Sequence, residues 1–266
     1  MFDERRHDID ALRSIALFLL IFYHLAVSFT SVAKWILFVP NNKPIDNIWS
    51  LLSIFNIWRI PLLFIIAGIA LRFSYQNRGV GKLFKERFKR LGIPYLFGAV
   101  TFVPLYIIIS AQFIYGDMSL DDNIGVLITS IFTGGHLWFL INILIYCLLF
   151  IPIIGFISNK KRGYKFVDSI LKIRGGVLLF SIPIILEGYL LDLTAYKEDI
   201  GYGNSYSEYY GTDHGLLLGF IWFLIGIVLT SQGDSFWEYN IKNINTHALI
   251  GVPLLINRFV NEFEVA

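Results

Sequence analysis

The sequence is poor in charged residues and in cysteine. Asp, Glu, Lys and Arg make up 16% of its 266 residues, against about a quarter in an average soluble domain. The one cysteine, Cys147, excludes an internal disulfide and a site built from several thiolates. The five histidines lack i, i+4 metal spacing, and neither a glycine-rich nucleotide loop nor a nucleic-acid-binding module is present. We therefore expect no bound metal and no nucleic-acid partner.

Apolar residues dominate what remains. They form 56% of the chain, aromatic residues form 17%, and the mean hydropathy is +0.63, which indicates an integral membrane protein. A helix needs about 20 apolar residues to cross a bilayer. This rule predicts an all-α, polytopic transmembrane bundle of about six full spans, near residues 11–32, 48–71, 92–114, 137–157, 175–191 and 214–230. A shorter apolar piece, Ala248 to Ile256, is read as an incomplete seventh span.

The charges between these spans alternate in sign. Basic residues dominate the stretches 72–91 and 158–174, and Arg5 and Arg6 precede the first span. The stretch 115–123 has three aspartates and no basic residue, and 192–213 is mainly acidic. Because cytoplasmic loops carry an excess of Lys and Arg, we expect a cytoplasmic N-terminus and a multi-pass protein of the plasma (inner) membrane.

Two segments depart from this pattern. Ile124 to Thr133 is too short to span and is followed by Gly134 and Gly135, so we interpret it as an interfacial or re-entrant piece on the outer side. The tyrosine-rich stretch 192–213 suits an outer loop with aromatic surfaces, although tyrosine is also common at membrane interfaces. Without an internal repeat, residues 1–266 read as one transmembrane domain.

The first span carries Arg13 and His24, two residue types that hydrocarbon disfavours. A charge there costs about 2.5–3.5 kcal/mol on insertion scales, so its presence in the span indicates a polar pathway, a ligand or catalysis. Eleven residues are close to three helical turns, which puts both side chains on one face about 16 Å apart. Arg13 has the alternative of snorkelling to the interface, and His24 that of a core hydrogen bond to another helix.

Further candidates are spread along the chain. Arg59 lies near mid-span, where the break in hydrogen bonding at Pro61 allows local unwinding, and Glu187 is a candidate partner for Arg59 or His24. The alternatives are a structural pair for Arg59 and interface exposure for Glu187. Arg87 and Arg90, spaced i, i+3, are able to clamp a phosphate or simply attract anionic lipid.

The start of the fourth span carries the last candidates. His136 and Trp138 open this span from outside, where an aromatic interface belt is the other interpretation.

Taken together, these pieces resemble the acyltransferase-3 family of integral membrane acyltransferases. Arg13 and His24 match its Arg-x10-His signature, and the stretch from Arg59 to Gly68 resembles its second span. Arg87 and Arg90 match its Arg-x-x-Arg motif, and the residues from Gly135 to Leu140 resemble the block that opens a later span. Within the family, the sequence is most similar to the glucan-modifying group.

The resemblance implies a bundle of about ten helices with cytoplasmic acyl-CoA as the donor and a carbohydrate hydroxyl on the outer face as the acceptor. It implies a catalytic His24, an Arg13 that supports the donor or His24, and nucleotide phosphates held by Arg87 and Arg90. An imidazole is suited to take the hydroxyl proton. We assign oxyanion stabilisation to Arg59, and substrate binding to His136, Trp138 and Glu187. Direct transfer and an acyl-histidine intermediate both stay open.

The predicted function is therefore an O-acyltransferase for an acetyl or succinyl type of group on a surface or periplasmic carbohydrate. It needs no bound cofactor, and we predict membrane lipids but no protein as further partners. The family pattern continues beyond the seventh span, so we also expect the sequence to be incomplete at its C-terminus. A transporter or flippase of a small polar or glycolipid substrate, and an inactive truncated fragment, are the alternatives.

Overall fold

A computed structural model describes residues 7–30, 33–36, 38–45, 48–76, 79–117, 119–133, 135–155, 162–192 and 213–265. The tyrosine-rich part of the predicted outer loop lies outside these residues. The described residues form helices and turns without strands, which confirms the all-α prediction for them. They fall into two compact units, residues 1–59 with 85–145, and residues 60–84 with 146–265. The single-domain prediction is not tested by this division.

The first unit starts with α1 (His7–Val27), a short 3-10 helix (Ala33–Ile36) and the first part of α2 (Ile48–Gln76). A long, nearly continuous helical stretch follows, made of α3 (Val80–Arg87), a π-helical turn (Phe88–Gly92), α4 (Ile93–Val100) and α5 (Phe102–Tyr115), of which residues up to Phe84 belong to the second unit. Gly116, with φ of 88°, ends α5. The chain then turns into α6 (Leu120–Thr133), which packs back along α5 and α4. Another 3-10 helix (Gly135–Leu137) leads into α7 (Trp138–Phe150).

The second unit contains the remaining helices. These are α8 (Arg162–Lys172), a 3-10 helix (Gly176–Ser181), α9 (Ile182–Asp192), α10 (Asp213–Thr230), α11 (Asp234–Lys242) and α12 (Ile244–Val265). Two glycines let α2 and α10 approach backbone to backbone. A Cβ at Gly68 would collide with the carbonyl oxygen of Phe223, and one at Gly226 with that of Ile65. Such small-residue contacts are typical of helix pairs in membranes.

The prediction of six or seven spans is wrong for the described residues. Three helices there are long and apolar enough to cross a membrane, namely His7–Val27, Trp58–Gln76 and Val80–Tyr115. The bent pair Gly215–Thr230 and Ser235–Lys242 counts as a fourth if it forms one span. The predicted span at 92–114 coincides with α4 and α5, but those at 137–157 and 175–191 are too short as continuous helices.

In both segments a local feature of the backbone makes the helix shorter than predicted. α7 has 13 residues, about 20 Å of helix against a hydrocarbon core of about 30 Å. Pro152, which lacks an N–H, follows directly in a turn. In the other segment, Gly175 adopts φ of 77° and a 3-10 helix replaces the first turns, so that α9 begins only at Ile182 beside Pro183.

The expected local unwinding at Pro61 in α2 is not observed. This helix is continuous from Ile48 to Gln76 with Pro61 inside it. Arg59 is presented from a regular helix instead.

Candidate functional site

His24 lies in the last turn of α1, and the chain folds back over it. Thr30 closes the end of the helix by donating its hydroxyl proton to the carbonyl of Val27 at 2.7 Å. The returning segment is tied to the helix end by backbone bonds from Asn41 to Ser28 at 2.8 Å and from Ile45 to Phe29 at 2.8 Å. This return brings the buried ring of Phe38 to a centroid distance of 5.7 Å from the His24 imidazole.

Four rings meet at this place, and we call them the histidine cluster: His24, Phe38, Tyr106 and His136. The His24 and His136 centroids are 6.0 Å apart and nearly perpendicular. Phe38 lies 5.0 Å and Tyr106 4.7 Å from the His136 ring. All four residues belong to the first unit, although they come from α1, the returning segment, α5 and the 3-10 helix before α7.

The hydrogen bonding of His24 fixes which nitrogen is able to take a proton. Nδ1 lies 2.7 Å from the backbone carbonyl oxygen of Leu20, one turn earlier in α1. Since a carbonyl only accepts, Nδ1 must be the donor and carry hydrogen. In a neutral imidazole the lone pair is then on Nε2, the nitrogen that a general base needs. Nδ1 is therefore bonded within α1 and does not form the hydrogen bond to a neighbouring helix that the alternative requires.

Arg59 is held against α1 by an aromatic ring. Its side chain is 1% exposed, and the guanidinium carbon lies 4.2 Å from the centroid of the Tyr23 ring, itself 3% exposed. Nη1 also donates to the carbonyl oxygen of Leu19 at 3.4 Å. Arg59 and His24 interact electrostatically, so the structure brings two of the predicted site residues together. A fixed cation close to a reacting oxygen stabilises the negative charge that develops on it.

A glycine lets His136 reach the cluster. Gly135 has φ of 45°, a conformation that L residues with side chains rarely adopt. A Cβ added there would lie 2.6 Å from Cγ1 of Val103 in α5. Both observations explain why glycine precedes His136: the 3-10 helix can turn and press directly against α5.

Arg13 and Trp138 lie outside this cluster. Arg13 is on the same helix as His24 but is exposed, so the described residues do not bring it to His24. Trp138, half-buried, begins α7, and its ring is 5.9 Å from that of Phe139. Their predicted roles stay predictions.

The two arginines of the Arg-x-x-Arg motif differ in their surroundings. Arg87 ends α3 and is half-buried, whereas Arg90 sits in the π-helical turn and is exposed. Arg90 Nη2 forms an ion pair with Glu86 Oε1 at 3.0 Å. A phosphate clamp thus requires Arg90 to leave Glu86, whose side chain is partly buried, whereas that of Arg90 is exposed.

Glu187 lies in α9 and is 5% exposed. Its burial rules out the interpretation as a residue exposed at the interface. It belongs to the second unit, whereas Arg59 and His24 belong to the first, and its pairing with either of them stays a prediction.

A family comparison decides the class of the protein. The model of an acyltransferase domain matches residues 6–236, most of the chain. The chain belongs to the acyltransferase-3 family. The resemblance to this family is thereby confirmed, while the similarity to its glucan-modifying group stays a prediction. The protein is a membrane acyltransferase that transfers groups other than aminoacyl groups. Neither a curated protein nor a solved structure matches the chain.

Three residues of the acyltransferase that contact predicted site residues were missed by sequence reasoning: Tyr23, Phe38 and Tyr106. Each is an aromatic residue in an aromatic-rich chain, and that composition hides it among many equivalent candidates. The one available signal was the position of Tyr23 next to His24, which puts it on the neighbouring face of α1. Phe38 and Tyr106 gave no signal, because only the folded chain brings them to His136.

Proposed function

We propose that this acyltransferase moves an acetyl or succinyl type of acyl group from cytoplasmic acyl-CoA to a hydroxyl of a surface or periplasmic carbohydrate. His24 takes the proton of that hydroxyl. The observation that carries the proposal is the geometry of His24: its Nδ1 donates to the carbonyl of Leu20 at 2.7 Å, which leaves Nε2 as the basic nitrogen. The His136 ring lies 6.0 Å from that of His24, and Arg59 interacts with His24 electrostatically.

The chemistry balances with these groups. The acceptor oxygen forms a bond to the acyl carbonyl carbon, and the carbon–sulfur bond of the thioester breaks. The hydroxyl proton passes to His24 Nε2 and from there to the coenzyme A thiolate. An acyl-histidine route would use the same nitrogen first as the nucleophile. The guanidinium of Arg59 would stabilise the oxyanion in either case, since a preorganised cation in a dry site acts strongly on developing charge.

The remaining predicted residues complete the proposal. Arg87 and Arg90 bind the phosphates of the donor, and Arg13 supports the donor or His24. His136, Trp138 and Glu187 contact the substrates. We place the protein in the plasma (inner) membrane as a multi-pass protein with a cytoplasmic N-terminus, as the alternating loop charges indicate.

The test is transfer of label from acyl-CoA to carbohydrate in membranes that contain His24→Ala or His24→Gln. We expect a loss of at least about 100-fold, the range typical of a general base. His7→Ala, at the exposed start of α1, is the matched control and is expected to keep full activity.

The alternatives give different results in the same membranes. Full transfer in the His24 variants would overturn the proposal. A transporter would show unchanged acylation with altered substrate flux.

A further inference from the structure

We propose that α8 lies in the headgroup layer of an anionic phospholipid leaflet and binds it through an exposed face. The lipid is that of the membrane in which the chain sits. This inference does not depend on the proposed reaction. Its starting point is a difference from the sequence interpretation: the basic stretch 158–174 contains an 11-residue amphipathic helix with strongly segregated polar and apolar residues.

One stripe of α8 is covered by protein. Val167 and Leu171, four residues apart, are 9% and 2% exposed and pack with Ile225 and Leu229 of α10. Partly buried residues of α9, α11 and the 3-10 helix complete this small core. α8 is therefore fixed beside the last turns of an apolar helix, with a defined face turned away from the protein.

The outward face combines apolar and basic side chains. Phe166 and Ile173, seven residues apart, are 67% and 56% exposed. Lys165 and Lys172 repeat at the same interval one position earlier, and both are exposed, as is Arg174. Because seven residues are nearly two turns, Lys165 and Lys172 form one stripe of α8 with Phe166 on the neighbouring stripe, and Ile173 lies in the bend that directly follows the helix. Helices that lie in a membrane interface have this arrangement.

Charge and chain continuity favour lipid over a protein as the occupant. Three exposed basic residues, Lys165, Lys172 and Arg174, stand against one acid, Asp168, which pairs with Lys172 at 2.7 Å, and Arg174 Nε donates to the hydroxyl of Thr246 at 2.9 Å. The face thus carries an excess of positive charge, complementary to phosphate headgroups. α8 also stands between apolar α7 and apolar α9 in the chain. A water-facing site for Phe166 and Ile173 would leave both apolar side chains unprotected.

The single native cysteine makes a clean probe possible. Cys147 is 1% exposed, so the full chain with Phe166→Cys can be labelled at one accessible position with a polarity-sensitive fluorophore. The labelled protein is placed in nanodiscs of phosphatidylcholine alone or mixed with phosphatidylglycerol. Some lipids carry a spin label near the headgroup, which quenches only fluorophores that touch lipid. Unchanged Cys147 is the labelling control.

We expect blue-shifted, quenched emission, and stronger quenching with phosphatidylglycerol. Lys165→Gln should lower the enrichment of phosphatidylglycerol beside α8 about fivefold in anionic discs, since each basic residue contributes about that factor near an anionic surface. High salt should act in the same direction. Lys43→Gln removes an equal charge from an exposed residue of the returning segment and is expected to change nothing.

Three results would overturn the inference. Emission typical of water, without quenching, would mean that Phe166 faces solvent. Blue-shifted emission without quenching would mean that protein covers it. Equal quenching in both lipids, unchanged by Lys165→Gln, would mean that the basic stripe does not bind anionic headgroups. An exposed side chain is substituted in each case, so the fold should survive, and a thermal unfolding scan of each variant verifies this.

Discussion

The contact between Tyr23 and Arg59 leads to the sharpest prediction. The Tyr23 ring holds the guanidinium at a centroid distance of 4.2 Å, and no sequence motif pointed to it. Tyr23→Leu removes the ring and keeps an apolar side chain, so the charge loses its aromatic support while the helix stays apolar. We expect Arg59 to lose its fixed position and the acyltransferase to lose turnover.

The burial of both partners sets the magnitude. A cation–π contact contributes about 0.5–1 kcal/mol at an exposed site and about 2 kcal/mol or more when it is desolvated. Tyr23 and Arg59 are 3% and 1% exposed, so the upper value applies. Two kilocalories per mole correspond to a factor of about 30 in rate, given about 1.4 kcal/mol per tenfold. The bond from Nη1 to Leu19 at 3.4 Å is long and would not replace the ring.

The assay is a double-mutant cycle on transfer of label from acyl-CoA to carbohydrate. The variants are Tyr23→Leu, Arg59→Met and the two together, each compared at equal amounts of folded protein in the membrane. We expect a coupling free energy of about 2 kcal/mol between the two positions. Tyr23→Phe is the control: it keeps the ring and should stay within about twofold of the parent, if the ring rather than the hydroxyl supports Arg59.

A coupling free energy below about 0.5 kcal/mol would refute the reasoning, because the two side chains would then act independently. A loss in Tyr23→Phe as large as in Tyr23→Leu would refute it as well, since the phenol oxygen rather than the ring face would carry the effect.

Three other predictions concern single contacts. Gly135→Ala should displace His136 and lower activity at least about tenfold while the protein still folds, because φ is positive and the methyl meets α5; Gly125→Ala, where a Cβ meets nothing within 4 Å, should be neutral. Gly68→Ala should destabilise the second unit by about 1–3 kcal/mol through overpacking against α10, which thermal unfolding in detergent would report as a lower midpoint. Glu86→Gln should release Arg90 and change the KM for acyl-CoA less than about fivefold, with kcat unchanged, because the Arg90 end of the pair is exposed and screened by water; a large fall in kcat would contradict this.

Local patterns in the sequence determined the class of the fold and the family. Hydropathy predicted apolar helices because the bilayer imposes one requirement, a long apolar stretch with internally satisfied backbone bonds. The spacing of Arg13 and His24 depends only on helix geometry, and the motif around Arg87 is contiguous. These features do not need knowledge of how helices pack, so they were predictable and the family comparison confirmed the family they indicate.

The number of helices long enough to span could not be counted in this way. A hydropathy window registers apolar residues whether or not the helix through them is continuous. In the segments at 137–157 and 175–191 the helix is interrupted, by the turn at Pro152 and by the left-handed Gly175 with its 3-10 helix. Those interruptions depend on backbone conformation, which average hydropathy does not describe.

The sequence by itself determined that His24 lies in an apolar helix, and that an arginine follows in the next one. Only the tertiary structure decided which groups surround it: His136, more than a hundred residues away, Phe38 from the returning segment, and the Tyr23 ring under Arg59. The physical reason is that ring contacts over such separations are fixed by packing between helices. Apolar aromatic side chains satisfy the same hydropathy pattern on any face, so their pairing is not encoded in any local stretch.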